Sequence, residues 1–383
     1  MKVIWKERVS IKKISEFFWQ IFGHYSWIPL LAIFVHGLHQ IYFLIRLKNA
    51  PVNVVYVSAI WVALQCIFAT LFGLISDKYC RKKTLVFTLG CSMLSLPLLE
   101  AGWFWPAIVI SGMLGNIAPI ARAAYCDVQL KRNQEPNIIN TFLVLPLPFI
   151  VLSFNLHLFE RYSSYFIHFV ELVTFLACVF LFTDQRDKSH RDISSHFFKT
   201  LLKKFSNGPS IRLLFSFYIL NSGWWLLTYL VEAHSSEAKL LNYFFLVIGL
   251  SFLAGAIFCR IYSFSPARAL PLLTLVIAVL FVFDWLYSVI FGNIAIATSF
   301  MHFTLIGGVV LPLWYVFFSQ QAKTHEQGTV FGFLESLRSL TELTGPLILI
   351  FISINNIYYL LIPQSIVGLL LVLSLKRGKN ESV

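Results

Sequence analysis

The chain has 383 residues, of which 58% are hydrophobic and only 13% are charged, and its mean hydropathy is +0.75. Soluble domains carry about 25% charged residues, so this composition excludes a soluble protein and indicates an integral membrane protein. Basic loops at an anionic membrane face account for the net charge of +12, and we therefore discard a nucleic-acid partner.

Residues 1–23 form a basic, aromatic segment with no small-residue cleavage site, which is predicted to stay in place as a cytoplasmic interfacial segment. The six cysteines contain no CxxC pair, so neither a structural disulfide nor a metal site is expected. The phosphate-binding pattern GxxxxGK[ST] is absent from the sequence, and no cofactor or direct use of ATP is expected.

Twelve apolar runs are long enough to cross a bilayer, which takes about 20 residues per helix. These runs, the predicted spans one to twelve, lie near 25–46, 53–76, 84–102, 104–126, 138–159, 163–183, 210–233, 240–263, 269–291, 293–319, 328–352 and 356–375. A long polar interval separates the first six from the last six. We predict an all-α membrane protein with an N-terminal six-helix bundle at 24–183, a basic cytoplasmic linker at 184–209, a C-terminal six-helix bundle at 210–375 and a cytoplasmic tail at 376–383.

The distribution of basic residues predicts the orientation, because cytoplasmic loops carry the excess of Lys and Arg. With the N-terminus inside, 24 of the 30 Lys and Arg residues fall in inner segments and four in outer loops, and Arg122 and Arg338 lie within spans. Both termini are therefore predicted to be cytoplasmic.

The loop after span two reads Gly73-Leu-Ile-Ser-Asp77-Lys78-Tyr-Cys80-Arg81-Lys82. It resembles the G-x-x-x-D-[RK]-x-G-[RK]-[RK] signature of the major facilitator superfamily, with cysteine replacing the second glycine. The resemblance implies two six-helix bundles that rock about a central site. It also implies that Asp77 faces the start of span eleven and that Arg81 pairs with Asp127, so these residues form a conformational-switch motif. A degenerate second copy begins at Gly255 and ends at Cys259-Arg260.

The stretch from Gly307 to Pro346 resembles spans ten and eleven of the tetracycline-efflux type of drug:proton antiporters. It includes Gly307-Gly308, Pro312, Glu326-Gln327-Gly328, Gly332 and Gly345-Pro346. Those antiporters usually carry G-x-x-x-G-P-x-x-G-G in span five, whereas this span has Pro146 and Pro148 and no glycine. The resemblance of spans ten and eleven favours export of a drug or metabolite. The departure in span five favours the alternative, uptake of a nutrient, metabolite or siderophore, and a non-transporting sensor is a third hypothesis.

Ionisable side chains inside spans are costly, which makes them candidates for proton coupling. His36 and His39 share one face of span one with Gln40, and histidine titrates near neutral pH. On span eleven, Glu335 and Arg338 could neutralise each other and leave Glu342 free to titrate. The alternatives are that the histidines only bond neighbouring helices and that the three span-eleven charges form a closed network. Glu171 and Asp284 rank lower, because their spans are peripheral in the superfamily.

In this superfamily, spans one, four, seven and ten line the central cavity. Polar and aromatic side chains on them suit an amphipathic or cationic solute, although Trp and Tyr also populate interfacial belts. The cavity candidates are Gln40, Asn116, Arg122, Asn221, Trp224, Trp225, Tyr229 and His302.

Together these features predict a proton-coupled secondary transporter that moves a small organic solute. Catalysis is not expected, because the His and acidic residues are scattered and show no H-E-x-x-H pattern. The abundance of Phe, Ile, Leu and Lys favours an AT-rich bacterial genome and hence a bacterial inner membrane. We expect a monomer whose partners are the solute, protons and lipid.

Overall fold

The computed structural model describes residues 26–48, 54–131, 137–183, 238–262, 293–322 and 326–351, with further positions at 211–222 and 264–279. Several features predicted above lie outside that part. They are the segment 1–23, the linker 184–209, span twelve at 356–375, the tail 376–383, the residues Trp224, Trp225, Tyr229 and Asp284, and the side chain of His302.

Three long helices open the chain: α1 at Trp27–Lys48, α2 at Val54–Lys78 and α3 at Arg81–Glu100. Cys80 is the N-cap of α3, with φ −164° and ψ 122°, and its Sγ accepts a hydrogen bond from the backbone N–H of Lys83. Any residue adopts this extended backbone. The cysteine that replaces the signature glycine therefore fits this turn without strain.

Helix α4 at Phe104–Val109 runs into a π-helical segment at Ile110–Leu114, and α5 follows at Ile117–Lys131. A π-helical turn leaves carbonyl groups without regular helical partners. The amide of Asn116 donates to the carbonyls of Gly112 and Met113 at 3.2 and 3.1 Å. Trp61 of α2 donates from its indole to Ser111 Oγ at 3.0 Å. These bonds stabilise the irregular turn inside span four.

Span five starts with the short helix α6 at Ile139–Val144, and helical structure resumes as α7 at Leu147–Phe180. Helix α7 is continuous over 34 residues. Near its start Pro148 packs on Gly37 of α1, and near its end Glu171 forms a hydrogen bond with His39 of α1. Those two contacts lie at one level of α1, whereas a straight helix would separate Pro148 from Glu171 by about 34 Å. The backbone between Pro148 and Glu171 therefore cannot follow one straight helix axis, and the division of this stretch into spans five and six stays a prediction.

The second half contributes α8 at Ala238–Ile261, α9 at Asn293–Ser319 and α10 at Gln327–Phe351. These three helices agree with spans eight, ten and eleven to within one turn. Within the described part of the chain, four helices are long and apolar enough to cross a membrane. They are Trp27–Leu47, Val55–Lys78, Arg81–Glu100 and Phe104–Lys131.

The helices pack so that each half contacts the other along two seams. One seam joins α2 and α5 to α10, and the second joins α6 and α7 to α8, while α8 packs on α9 within the second half. A hydrophobic cluster between the halves contains Phe142, Trp314, Tyr315, Phe318 and Phe331. The polar residues considered below lie on these seams and within the first half.

Candidate functional site

Glycines bring α2 and α10 into backbone contact. A Cβ atom on Gly73 would overlap the carbonyl of Gly328 and would lie 3.2 Å from the Cα of Gly332. A Cβ on Gly332 would lie 2.5 Å from the carbonyl oxygen of Ala69. Larger residues would force the helices apart, as at other small-residue interfaces in membranes. The signature glycine Gly73 is therefore required for close packing across the two halves.

Asp77 caps the N-terminus of α10 from the opposite half of the molecule. Its Oδ1 accepts the backbone N–H of Gly328 at 3.0 Å, and its Oδ2 accepts the backbone N–H and hydroxyl of Thr329 at 2.5 and 2.6 Å. The first N–H groups of a helix lack partners within the helix and carry partial positive charge. A buried carboxylate is therefore well matched to this helix end, and the contact between Asp77 and the start of span eleven is present as expected.

Arg81 joins this cap to span four. Its Nη1 lies 2.5 Å from Asp77 Oδ1 and donates to Ser76 Oγ at 3.0 Å, and its Nε donates to Asp127 Oδ2 at 2.6 Å. The three charged side chains are buried. The predicted pairing of Arg81 with Asp127 is thus observed, and the positive end of α10 balances the second carboxylate.

The two lysines of the signature occupy a different environment. Lys78 is exposed and lies over the ring of Tyr79, and Lys82 is partly exposed. Among the residues that the structure describes, neither forms an ion pair. The contacts between halves are therefore made by Gly73, Asp77 and Arg81, and a switch role for the lysines stays a prediction.

The degenerate second copy lies on the other seam. Arg260 of α8 donates from Nε to Asn140 Oδ1 of α6 at 3.2 Å, and Asn140 donates to the hydroxyl of Tyr125 at 2.7 Å. This seam uses a neutral amide where the first uses a carboxylate. Asn140 and Tyr125 were not singled out from the sequence, although an asparagine at the start of an apolar run was an available signal.

A cluster of four charged residues, here called the central cluster, links α5 to α10. Arg122 Nη1 lies 2.6 Å from Glu335 Oε2, and Arg338 Nε lies 2.6 Å from Glu335 Oε1. Arg338 Nη1 lies 3.6 Å from Glu342 Oε2. The expectation that Glu342 is left free is therefore wrong, because Arg338 reaches both glutamates. The closed-network alternative holds, and Arg122 extends it to the other half.

Aromatic rings enclose the arginine of this cluster. The guanidinium of Arg122 lies 5.1 Å from the ring centroid of Phe142 and 4.8 Å from that of Tyr315, and Tyr315 donates its hydroxyl to Glu335 at 2.9 Å. Two arginines and two glutamates make the cluster neutral overall. Buried charges are tolerated only in such paired, hydrogen-bonded arrangements.

His36 faces the central cluster and His39 does not. His36 is buried, interacts electrostatically with Glu335, Arg338, Arg122 and His39, and its Nδ1 lacks a hydrogen-bond partner among the described residues. His39 instead contacts α3 and α7. The two histidines, which were predicted to share one face of span one, therefore lie in different environments.

His39 forms a buried pair with Glu171, which sequence reasoning ranked low. The Nδ1 atom of His39 lies 2.7 Å from Glu171 Oε1, and its Nε2 lies 3.1 Å from Ser95 Oγ. The side chains of His39 and Glu171 are 2% and 1% exposed. His168 Nδ1 lies 3.5 Å from the second oxygen of Glu171. A carboxylate in a span ranked as peripheral thus faces the inside of the first bundle.

The remaining cavity candidates are not gathered in one place. Asn221 is buried and donates to Thr341 Oγ1 at 2.5 Å, so it joins span seven to α10. Asn116 bonds its own helix, as described above, and Arg122 belongs to the central cluster. Gln40 is partly buried. The structure brings Arg122 to the proton-coupling candidates of α10 but does not bring Asn116 there.

No protein-family model matches the sequence, and no curated protein sequence matches it. Solved structures do match over nearly the whole chain. A crystal structure of the human organic anion transporter MFSD10 (TETRAN) matches with a TM-score of 0.70 at 15% identity, covering 91% of this chain and 98% of that one.

A second match is a structure of the major facilitator superfamily proton:xylose symporter XylE bound to 6-bromo-6-deoxy-D-glucose. It has a TM-score of 0.71 at 10% identity and covers 95% of this chain and 96% of that one. These likenesses show the fold. Where the structure describes it, the chain is helical, shares the fold of these two transporters and has four helices that are long and apolar enough to cross a membrane.

Proposed function

We propose that this protein is a secondary active transporter that moves a small organic solute by alternating access and couples the movement to protons. The observation that carries the proposal is the buried central cluster, which joins the two halves through the ion pair of Arg122 and Glu335 in a fold that known transporters share. Rocking of the halves must break and remake such contacts, and polar groups inside spans commonly mark transport pathways.

The proposal includes the organisation predicted from the sequence. Twelve spans form bundles at 24–183 and 210–375, the linker 184–209 joins them, and both termini face the cytoplasm. The protein acts as a monomer in a bacterial inner membrane, has no enzymatic activity and uses no cofactor. Gly73 and Asp77 support one closed face, because their contacts depend on α2 and α10 touching. Arg81 joins Asp77 to Asp127 behind that face.

Export is favoured by the resemblance of spans ten and eleven to drug:proton antiporters. Uptake is the second candidate, and one observation supports it. The start of α7 carries prolines where antiporters carry glycines, and Pro148 packs against Gly37, where an added Cβ would lie 2.8 Å from the Pro148 Cγ. The glycine in this contact, Gly37, belongs to α1 and not to span five. The glycine-based packing of span five in the antiporters is therefore not reproduced.

The test is a search for solute-induced proton movement with purified protein in liposomes that contain a pH-sensitive dye. The panel comprises cationic drugs, amino acids and iron chelates, with organic anions and pentoses added because the matched transporters handle such compounds. Acidification of the compartment that the solute enters indicates symport, and acidification of the compartment it leaves indicates antiport. Binding without solute or proton flux would favour the sensor hypothesis and contradict the proposal.

A further inference from the structure

The pair of His39 and Glu171 lies within the first half of the molecule, apart from the seams. Its surroundings are α1, α3 and α7, and it touches neither the switch motif nor the ion pair between halves. Burying an ionisable pair is costly, and a static fold could fill the same space with apolar side chains. The presence of this buried pair therefore indicates a function separate from that of the central cluster.

The hydrogen bonds around His39 fit two protonation states equally well. Nδ1–H donates to the Glu171 carboxylate in both. When Nε2 is unprotonated, the Ser95 hydroxyl, 3.1 Å away, donates to it. When Nε2 carries a proton, it donates to Ser95 Oγ, and the hydroxyl hydrogen turns to the Ser92 carbonyl at 2.9 Å. A rotating hydroxyl thus leaves no buried donor unsatisfied in either state.

A line of titratable groups leads from the pair to the protein surface. His168, whose side chain is 27% exposed, lies 3.5 Å from Glu171 and interacts electrostatically with Glu100. Glu100 is exposed at the end of α3, where Tyr42 donates to it at 3.5 Å. All of these groups lie on α1, α3 and α7, so this line does not cross the interface between the halves.

The pair is also connected to the central cluster. His36 lies one helical turn from His39 on α1 and interacts electrostatically with His39 and with the central cluster. Among the described residues, the titratable groups next to the pair are His168 and His36. Glu100 lies beyond His168, and Arg122, Glu335 and Arg338 lie beyond His36. A change of charge at His39 acts on His36, which interacts in turn with the ion pair that joins the halves.

We propose that the pair of His39 and Glu171 is a proton-binding site, and that its occupancy drives the conformational cycle. A proton from solvent forms the Nε2–H bond of His39, and the charge of the pair changes from minus one to zero. Release breaks that bond and returns the proton to solvent. The coupling rests on the proposed function, whereas proton binding does not.

The first test follows the histidine ring nitrogens directly. Protein labelled with ¹⁵N-histidine is placed in lipid bilayers and titrated by nuclear magnetic resonance, and the signal that His39→Gln removes is assigned to His39. We expect its Nε2 signal to change from the unprotonated to the protonated form as the pH falls. Removing an opposite charge this close displaces a titration by at least about one pH unit. Glu171→Gln should therefore displace it, and the matched variant Glu342→Gln should leave it in place.

Ser95→Ala provides a second variant if Glu171→Gln fails to fold, because it removes a single hydroxyl and should also displace the titration. A His39 signal that keeps one protonation state across the whole range would overturn the proposal. So would equal displacement by Glu171→Gln and Glu342→Gln.

The second test uses the liposome panel with Glu171→Gln. Loss of proton movement with persistent solute exchange supports the site, and intact proton movement overturns it. If wild-type protein moves no solute at all, the proposed function fails, but the resonance titration still decides whether the pair binds a proton. The two failures are therefore distinguishable.

Discussion

Replacing Asp77 by asparagine should open the face at which α2 meets α10. Oδ2 accepts two hydrogen bonds from Thr329, and an amide nitrogen in its place would oppose both donors. Hydrogen bonds to charged groups contribute about 1.5–3 kcal/mol each, so the loss is about 3–6 kcal/mol. Because about 1.4 kcal/mol corresponds to a tenfold change, the closed state should become roughly 10²- to 10⁴-fold less favoured.

Disulfide trapping can measure this change. The hydroxyls of Thr70 and Ser336 are 2.7 Å apart across the seam, so Thr70→Cys with Ser336→Cys reports the closed state in a background without the six native cysteines. Asp77→Asn should sharply lower the rate of cross-linking. Lys78→Gln is the matched control, since it removes a neighbouring exposed charge. An unchanged rate in Asp77→Asn, or an equal drop in both variants, would refute the reasoning.

Three further predictions concern packing and buried polar contacts. Gly73→Ala should lower cross-linking on the same seam because its Cβ overlaps backbone, whereas Gly90→Ala should not, since its Cβ meets only a Phe175 ring carbon at 3.5 Å. Arg122→Ala should reduce stability to unfolding by about 3–5 kcal/mol, and a double-mutant cycle with Glu335→Gln should give a clearly non-additive result. Trp61→Phe should cost about 1–3 kcal/mol in the same unfolding assay, because Ser111 loses its indole donor.

Periodicity and composition predicted several of the described helices well, although one helix, α7, extends over most of the stretch predicted as spans five and six. A long apolar run in lipid forms a helix, because a helix pairs all of its backbone N–H and C=O groups within itself. Helices α1, α2 and α9 accordingly begin and end close to the predicted positions. The signature motif also predicted specific contacts. The resemblance to the superfamily signature implied that Asp77 meets the start of span eleven and that Arg81 pairs with Asp127, and both contacts are present.

Contacts across long sequence separations were beyond sequence reasoning. Glu171 was ranked low because its span is peripheral in the superfamily, yet its contact with His39 depends on how α7 packs against α1, which no local pattern encodes. Glu342 was expected to be free because spacing on α10 alone suggested one neutral pair. Arg338 nevertheless reaches Glu342 four positions along the same helix. What spacing could not reveal is Arg122, which lies 213 positions from Glu335 and approaches it from another helix.

Active accumulation tests the central claim most directly. Liposomes that contain the protein receive an imposed pH gradient and a labelled solute that moved protons in the panel, at equal concentrations inside and outside. Coupled transport predicts that the gradient drives the solute above its equal concentration on one side, and that a protonophore abolishes this difference. Solute that stays at equal concentrations whatever the pH gradient would contradict the account.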